Sequence, residues 1–328
     1  MRRRTLLGST GALPFAPFAA APSGAQPAPS WPTQPPRVVV PYAPGGPTDI
    51  PARLLAEELA KILPHRPVVE NRTGAGVVVG TDAVAKARDG HTVLYTTISH
   101  AVLRPLFPRL PFDPVADFQP VALVGVIPMV LMANKDLPVN GLQDLVRLYR
   151  GSPGKYDYGS SGNGSALQLA SELFLRQAGG LKVTHVPYRG SAAAMPDLLN
   201  GTVSMMLDVA NNALPYVGRG EVKGLAVSSE RRLPQLPDVP TFKEQGMADY
   251  EAYTWHMVLA PQGTPEGVVR RLNGAINQVL SDRAVQRRLE DLTMQVRADS
   301  TPEGAAQWLR SEMAKWEPIV REAGIKTD

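Results

Sequence analysis

The chain has no cysteine in 328 residues. That excludes disulfides, thiolate nucleophiles and zinc–thiolate sites together. Aromatic residues are few, at 6%, and no run of Lys or Arg is interleaved with them, so the stacking surfaces of nucleic-acid readers are missing. No uninterrupted apolar stretch reaches the roughly eighteen residues that a membrane-spanning helix needs. The histidines, His65, His91, His100, His185 and His256, show no His-Glu-x-x-His or other metal spacing. Net charge is nearly absent as well. The formal +4 falls to +1, with 31 basic against 30 acidic residues, once Arg2, Arg3 and Arg4 are set aside. The calculated pI of 9.3 is therefore no nucleic-acid footprint. No nucleic-acid partner, metal or cofactor is expected.

What is present begins with a targeting segment. Arg2-Arg3-Arg4 is a basic head, and Leu6 to Ala21 is apolar but broken by Gly8, Gly11, Pro14 and Pro17. Ser23-Gly24-Ala25 offers small residues for cleavage, with Ala19-Ala20-Ala21 as a second candidate. Residues 1–25 thus read as a signal peptide, and the protein as a periplasmic one. Arg3-Arg4-Thr5-Leu6-Leu7 also fits a twin-arginine signal, so the export route stays open between that and the general pathway. Residues 26–36 are proline-rich and polar, a flexible arm. The remaining length, about 300 residues, suffices for two domains with one core each.

Val38 to Arg53 organises the rest of the chain. Val38-Val39-Val40 reads as a buried strand ended by Pro41, which has no N–H to give. Pro44-Gly45-Gly46-Pro47 is a tight turn whose glycines tolerate φ > 0. Thr48 or Asp49 is placed to cap a helix whose Leu54, Leu55, Leu59 and Ile62 recur at helical spacing. A strand, a glycine turn and a helix N-terminus present N–H groups and a positive dipole end to an anion. There is no Gly-Lys-Ser/Thr and no Gly-x-Gly-x-x-Gly, so a nucleotide is not the expected guest.

The pattern repeats. Pro67 to Glu70, the turn Thr73-Gly74-Ala75-Gly76, a helix over Val77–Ala87 and a strand over Thr92–Thr96 give a β-α-β-α-β rhythm, hence a mostly parallel sheet with helices on its faces. Its loops Tyr42–Asp49, Thr73–Gly76 and Thr96–His100 share one rim beyond the strand ends. Val121–Ala133 reads as two apolar runs parted by Pro128. A second cycle has a strand at Tyr156–Gly159, the polar loop Ser160-Ser161-Gly162-Asn163-Gly164-Ser165 and a helix over Ala166–Ala178. That loop is a second candidate anion cradle of hydroxyls and N–H groups. Strands at Val183–Val186, Val203–Leu207 and Leu225–Val227 come next, with helices at Ser191–Asn200, Pro265–Leu280 and Thr301–Ala323.

These segments resemble the Bug family, the substrate-binding receptors of tripartite tricarboxylate transporters. The resemblance is carried by Val40-Pro41-Tyr42-Ala43-Pro44-Gly45-Gly46-Pro47-Thr48-Asp49, Glu70-Asn71-Arg72-Thr73-Gly74-Ala75-Gly76, Asp89-Gly90-His91-Thr92 and Asp113-Pro114-Val115-Ala116-Asp117-Phe118. It continues through Tyr158-Gly159-Ser160-Ser161-Gly162-Asn163-Gly164-Ser165, Val186-Pro187-Tyr188-Arg189-Gly190-Ser191, Pro237-Asp238-Val239-Pro240-Thr241-Phe242 and Ala260-Pro261-Gln262-Gly263-Thr264-Pro265. It spans the chain from Arg37 to the last helix.

The resemblance implies an α/β fold, a two-domain clamp of the type II periplasmic-binding kind, each domain a mixed sheet flanked by helices. Domain 1 would be discontinuous, residues 37–131 and 253–328, and domain 2 residues 132–252, with crossings near Leu131–Lys135 and Tyr250–Thr254. It implies a monomeric receptor for a small carboxylate, and as partner either the membrane subunits of a transporter or a sensor-kinase ectodomain. By matching position, the site takes Tyr42, Ala43, Gly46 and Asp49 from domain 1. Ser160, Ser161, Asn163, Ser165, Tyr188 and Asp208 come from domain 2. Asp208 follows a strand and reads equally as a strand-end cap or as a receiver of a ligand amine or water. Arg104, Thr96-Thr97-Ile98-Ser99 and Asn211-Asn212 depart from the family's usual residues and bear on which ligand is bound.

The competing class is a secreted hydrolase with Ser160 or Ser161 as nucleophile, His185 as base and Asp208 as orienter. Gly159-Ser160-Ser161-Gly162 is not a Gly-x-Ser-x-Gly elbow, and the order Ser, His, Asp is not that of the α/β-hydrolases. No enzyme activity is expected.

Overall fold

The computed structural model describes residues 31–326, so the signal segment and the start of the arm lie outside the described residues. In chain order the elements are β1 (Arg37–Val40), α1 (Asp49–Leu59), β2 (Val68–Asn71), α2 (Val78–Ala85), β3 (Thr92–Thr96) and a 3-10 turn (Ile98–Val102) that runs into α3 (Leu103–Leu106). Then come β4 (Phe118–Asn134), α4 (Leu142–Gly151), β5 (Asp157–Ser160), α5 (Ala166–Gln177), β6 (Thr184–Pro187), α6 (Ser191–Asn200), β7 (Met205–Val209), α7 (Ala210–Gly218) and β8 (Val222–Val227). The chain closes with β9 (Tyr253–Pro261), α8 (Glu266–Leu280), α9 (Arg283–Asp291), β10 (Gln295–Val296) and α10 (Pro302–Glu322).

The strands lie in the order β2-β1-β3-β9-β4-β7-β5-β6, with β8 and β10 also paired to β4. Strand direction decides where the loops go. β1 is parallel to β2 and β3, β3 is antiparallel to β9, and β9 is antiparallel to β4, so β1–β3 run the same way as β4. β4 pairs with β9 as far as Pro128 and with β7 from Met129 onward, and so runs from the first group of strands into the second. β7 is antiparallel to β4, and β5 and β6 share its direction. The carboxyl ends of β1–β3 and of β5–β7 therefore point at each other across the place where β4 changes partners.

One apolar cluster runs under both groups, from Leu94 and Leu259 through Trp255 and Trp316 to Leu131 and Leu207. A second gathers around α1 and α8, and a third around α6 and β7. In α8 the buried positions Val269, Leu272, Ile276, Val279 and Leu280 fall on one helical face. Each full burial of such a side chain contributes about 1.5–3 kcal/mol. The exposed Arg270–Glu266 pair on the other face contributes little beside that.

Several expectations shift. Val121–Ala133 is not two runs but part of one 17-residue strand. Pro128 is accommodated because its missing N–H falls at the change of partner, opposite Tyr253. The arm is tied down from Trp31: its indole donates to Gly90 O at 2.9 Å, and Thr33 N donates to His91 Nε2 at 3.1 Å. Asn211-Asn212 lies in the first turn of α7, a helix the sequence pattern does not announce. α4 and α9 are not apparent in the sequence pattern. α4 follows Gly141 at its N-cap, with no side-chain cap to announce it, whereas α9 is capped by Asp282, which accepts from Ala284 N and Val285 N.

Candidate functional site

The first rim is built by a buried carboxylate. Asp49 is 1% exposed and does not cap its own helix. Its Oδ2 accepts from Gly45 N at 2.8 Å and Arg53 Nε at 2.7 Å, and its Oδ1 accepts from Asn71 Nδ2 at 2.8 Å. Thr48 makes no side-chain cap either. Asn71 Nδ2 also donates to Tyr42 O at 3.0 Å, and Arg53 Nη2 to Asn71 Oδ1 at 2.7 Å. Asp49, Asn71 and Arg53 thus form a clasp that bends Tyr42–Gly46 over the strand end. Burial raises the Asp49 pKa, but Arg53, the Gly45 N–H and Asn71 outweigh it and hold the carboxyl below its ordinary value. The left-handed residue of the turn is Gly45, at φ +74°; Gly46 is not left-handed, and a Cβ there would lie 3.3 Å from Ala43 O. Tyr42 is half-buried, its hydroxyl 2.6 Å from Thr97 Oγ1, and Ala43 is exposed. Among the described residues, Ala43 N and Thr48 N have no hydrogen-bond partner.

The neighbouring loop is strained. Gly74, Ala75, Gly76 and Val77 all have positive φ, and Val77, at +75°, is β-branched. A left-handed conformation costs such a residue about 1–2 kcal/mol; packing of Val77 at 7% exposure offsets it.

The second rim hangs on Gln168. Its Oε1 accepts from Gly164 N at 2.7 Å, which fixes the amide the other way round, so that Nε2 donates to His185 Nδ1 at 3.0 Å. The ring must then be neutral with its proton on Nε2, which donates to Ser160 Oγ at 2.6 Å. Ser160 Oγ donates in turn to Gly162 O at 3.2 Å and accepts from Gly162 N at 3.1 Å. Burial depresses the His185 pKa to about 4. Ser165 caps α5 by accepting from Gln168 N at 3.3 Å. The spacing Ser165-x-x-Gln168 is a capping-box signal that would have pointed to Gln168. Ser161 is half-buried and Asn163 exposed. Among the described residues neither backbone N–H has a partner.

Ser160 and Asp208 are both 0% exposed, so their side chains face protein. Asp208 is the fourth residue of β7 and does not follow it. It accepts from Ser191 Oγ, from Val209 N at 2.7 Å and from Asn212 Nδ2 at 3.4 Å. Burial outweighs these donors and raises its pKa to about 6. Tyr188 is half-buried, and its hydroxyl donates to Asp197 Oδ2 at 2.5 Å.

The hydrolase arrangement does not assemble. Ser160 meets His185, but through the nitrogen that already carries the proton, so the ring cannot take the serine's. Asp208 bonds Ser191, Val209 and Asn212 and not His185. Among the described residues no group of three His, Asp or Glu side chains is placed to hold a metal ion, and no helix is long and apolar enough to cross a membrane.

The second rim packs against α3. A methyl added at Gly164 would lie 2.3 Å from Leu106 Cδ1, at the end of α3. A cavity of about 430 Å³ lies away from both rims, between the end of α5 and α10. Its walls mix Glu172, Arg176, Lys182 and Glu322, and Arg176 pairs with Glu322 across it at 3.0 Å. That mixed field does not select an anion.

A family model described as "Tripartite tricarboxylate transporter family receptor" matches residues 51–325. The chain belongs to that family. Among solved structures, the periplasmic binding protein BugD is 34% identical, with a TM-score of 0.77 over 90% of this chain and 100% of that one. MatC of Rhodopseudomonas palustris, solved with bound malate, is 35% identical with a TM-score of 0.76, over 88% and 100%. The R. palustris protein Rpa4515, solved with adipate, is 33% identical with a TM-score of 0.79, over 90% and 100%. The protein is thus a solute-binding receptor with the α/β periplasmic-binding-protein fold, in a family of receptors and not of enzymes.

Proposed function

We propose that this receptor is exported to the periplasm and captures a small mono- or dicarboxylate between its two rims for delivery to the membrane subunits of a tripartite tricarboxylate transporter. The observation that carries the reading is the pair of opposed rims, each a helix N-terminus with N–H groups that have no partner among the described residues, at Ala43 and Thr48 on one side and Ser161 and Asn163 on the other. Such donors suit a carboxylate's acceptor-only oxygens without a cluster of cations. Malate on MatC and adipate on Rpa4515 support the same ligand class. In this reading Tyr42, Ala43, Gly46, Ser161, Asn163, Ser165 and Tyr188 face the ligand, while Asp49, Ser160 and Asp208 shape the loops from beneath. Residues 37–131 with 253–328 and residues 132–252 then act as two domains that close about the β4 and β9 crossings.

The test is a thermal-shift screen on protein that has been unfolded and refolded to strip a retained guest. At a hundredfold excess over Kd a true ligand stabilises by about 2.7 kcal/mol. Malate, adipate, tricarboxylates, aromatic carboxylates and acidic amino acids form the panel, with sugars and amines as controls. A carboxylate should shift the melting temperature and return unchanged, and Ser161→Ala should weaken that hit by about 1 kcal/mol. Shifts by sugars or amines with none by any carboxylate would overturn the reading.

A further inference from the structure

We infer that His185 is a positioning residue for ligand capture: held as the Nε2–H tautomer between Gln168 and Ser160, it braces both ends of the Ser160–Ser165 loop so that the Ser161 and Asn163 N–H groups stay turned toward the ligand. The inference rests on the proposed function only in taking this loop as ligand-receiving. Four hydrogen bonds in one direction carry it, from Gly164 N to Gln168 Oε1, Gln168 Nε2 to His185 Nδ1, His185 Nε2 to Ser160 Oγ, and Ser160 Oγ to Gly162 O. The relay begins and ends on the loop's own backbone. Each member has one role open to it, because the Gly164 N–H can only donate and so sets the sense of every bond after it. The ring is also pinned in plane, stacked on Tyr158 with centroids 4.9 Å apart, and Tyr158 is anchored through its hydroxyl to Glu172 Oε1 at 2.5 Å. A closed relay of this kind fixes loop shape more firmly than its bonds taken singly. It also takes up the Gly162 and Gly164 N–H groups, which leaves Ser161 and Asn163 as the loop's free backbone donors. A glycine-rich loop without the brace would spread over many conformations and lose affinity by the fraction that remains competent.

The test uses the mature chain with 15N-labelled histidine. Ring correlations at neutral pH should show His185 as the Nε2–H tautomer, and the Nδ1–H form or a mixture of the two overturns the inference. Gln168→Glu replaces the donating amide by an acceptor while keeping an oxygen for Gly164 N–H, so it should switch the ring to Nδ1–H; an unchanged tautomer also overturns it. His185→Phe keeps a flat ring but no polar atom, and should speed amide exchange at Gly162 and Gly164 by roughly tenfold or more. His185→Gln, whose amide both donates and accepts, should recover most of that protection; equal behaviour of the Phe and Gln variants would reduce the residue to packing and refute the role. Adipate and malate are the binding probes, and their affinities should fall in the same order. Should the wild type bind neither, the carboxylate reading is what fails, and the tautomer and exchange results still decide the brace. Faster loop exchange in His185→Phe with unchanged affinity for a bound probe would refute the link to ligand capture.

Discussion

Ser228→Ala tests whether one hydroxyl ties the middle of β4 to the start of β9. Met129, where β4 changes partners, donates its N–H to Ser228 Oγ at 2.8 Å, and that hydroxyl donates to Ala252 O at 2.5 Å, just ahead of β9. Ser228 N also donates to Met129 O at 2.9 Å, a bond the substitution keeps. Ser228 is 4% exposed and Met129 and Ala252 are 0% exposed, so water does not replace the hydroxyl freely. Removing it leaves one buried N–H and one buried C=O unpaired, at about 1–3 kcal/mol each. Allowing for partial relaxation, a total of about 2–4 kcal/mol corresponds to a fall in melting temperature of roughly 4–10 °C for a chain of this size. Ser281→Ala is the control, since its hydroxyl bonds Asn277 O at 2.7 Å on an exposed turn and should cost less than about 0.5 kcal/mol. Urea unfolding of both variants at neutral pH reads the difference as a change in midpoint at constant slope. A Ser228→Ala loss no larger than the control's would show that β4 and the start of β9 hold together without the hydroxyl, and the argument would fail.

The same geometry yields three other expected outcomes. Burial lowers the pKa of His256 to about 3 and of His100 to about 4, so below pH 6.5 the unfolded chain takes up protons first and stability should fall as pH drops toward 4; at roughly 1.4 kcal/mol per unit, His256→Phe should flatten that slope by about 3 kcal/mol in urea titrations at pH 7, 5.5 and 4, and an unaltered slope would contradict it. Asp208 works in the opposite sense, because its pKa is raised to about 6: its stabilising share is complete below about pH 4 and lost as pH rises through 6, so Asp208→Asn should raise stability at pH 7 and steepen the acid decline, and lower stability at pH 7 would refute that sign. Gly164→Ala places a methyl 2.3 Å from Leu106 Cδ1 at a residue with φ +71° and should push the Ser160–Ser165 loop off α3, seen as a lower melting temperature; an unchanged melting temperature would refute the clash.

Most of the frame was legible because it depends on pattern. Val38-Val39-Val40, the Pro-Gly-Gly-Pro turn and the leucines of α1 point the same way at every level, and so do the paired Ser/Gly/Asn loop and α5. The opposed rims needed more than pattern: they arise from the 17-residue β4, which passes through Pro128 and so looks interrupted to any reading that treats proline as a strand breaker. The clasp and the brace were hidden for a different reason. Asp49 and Ser160 look like ligand contacts in sequence because they are polar residues in glycine-rich loops, yet each is turned inward, to Asn71 and Arg53 in one case and to His185 in the other. Their partners lie 4 to 25 positions away, and a sequence shows residue types without the direction a side chain takes. What distinguishes the two roles is accounting of backbone donors. A loop rich in glycine has many N–H groups to offer, and the side chains beneath it decide which are consumed and which remain. On both rims the buried polar residues take up the glycine N–H groups at Gly45, Gly162 and Gly164, and those of Ala43, Ser161 and Asn163 have no partner among the described residues. Under the proposed function, changing Asn71 or Gln168 is therefore expected to alter ligand selectivity from beneath the loops, through the N–H groups they leave free.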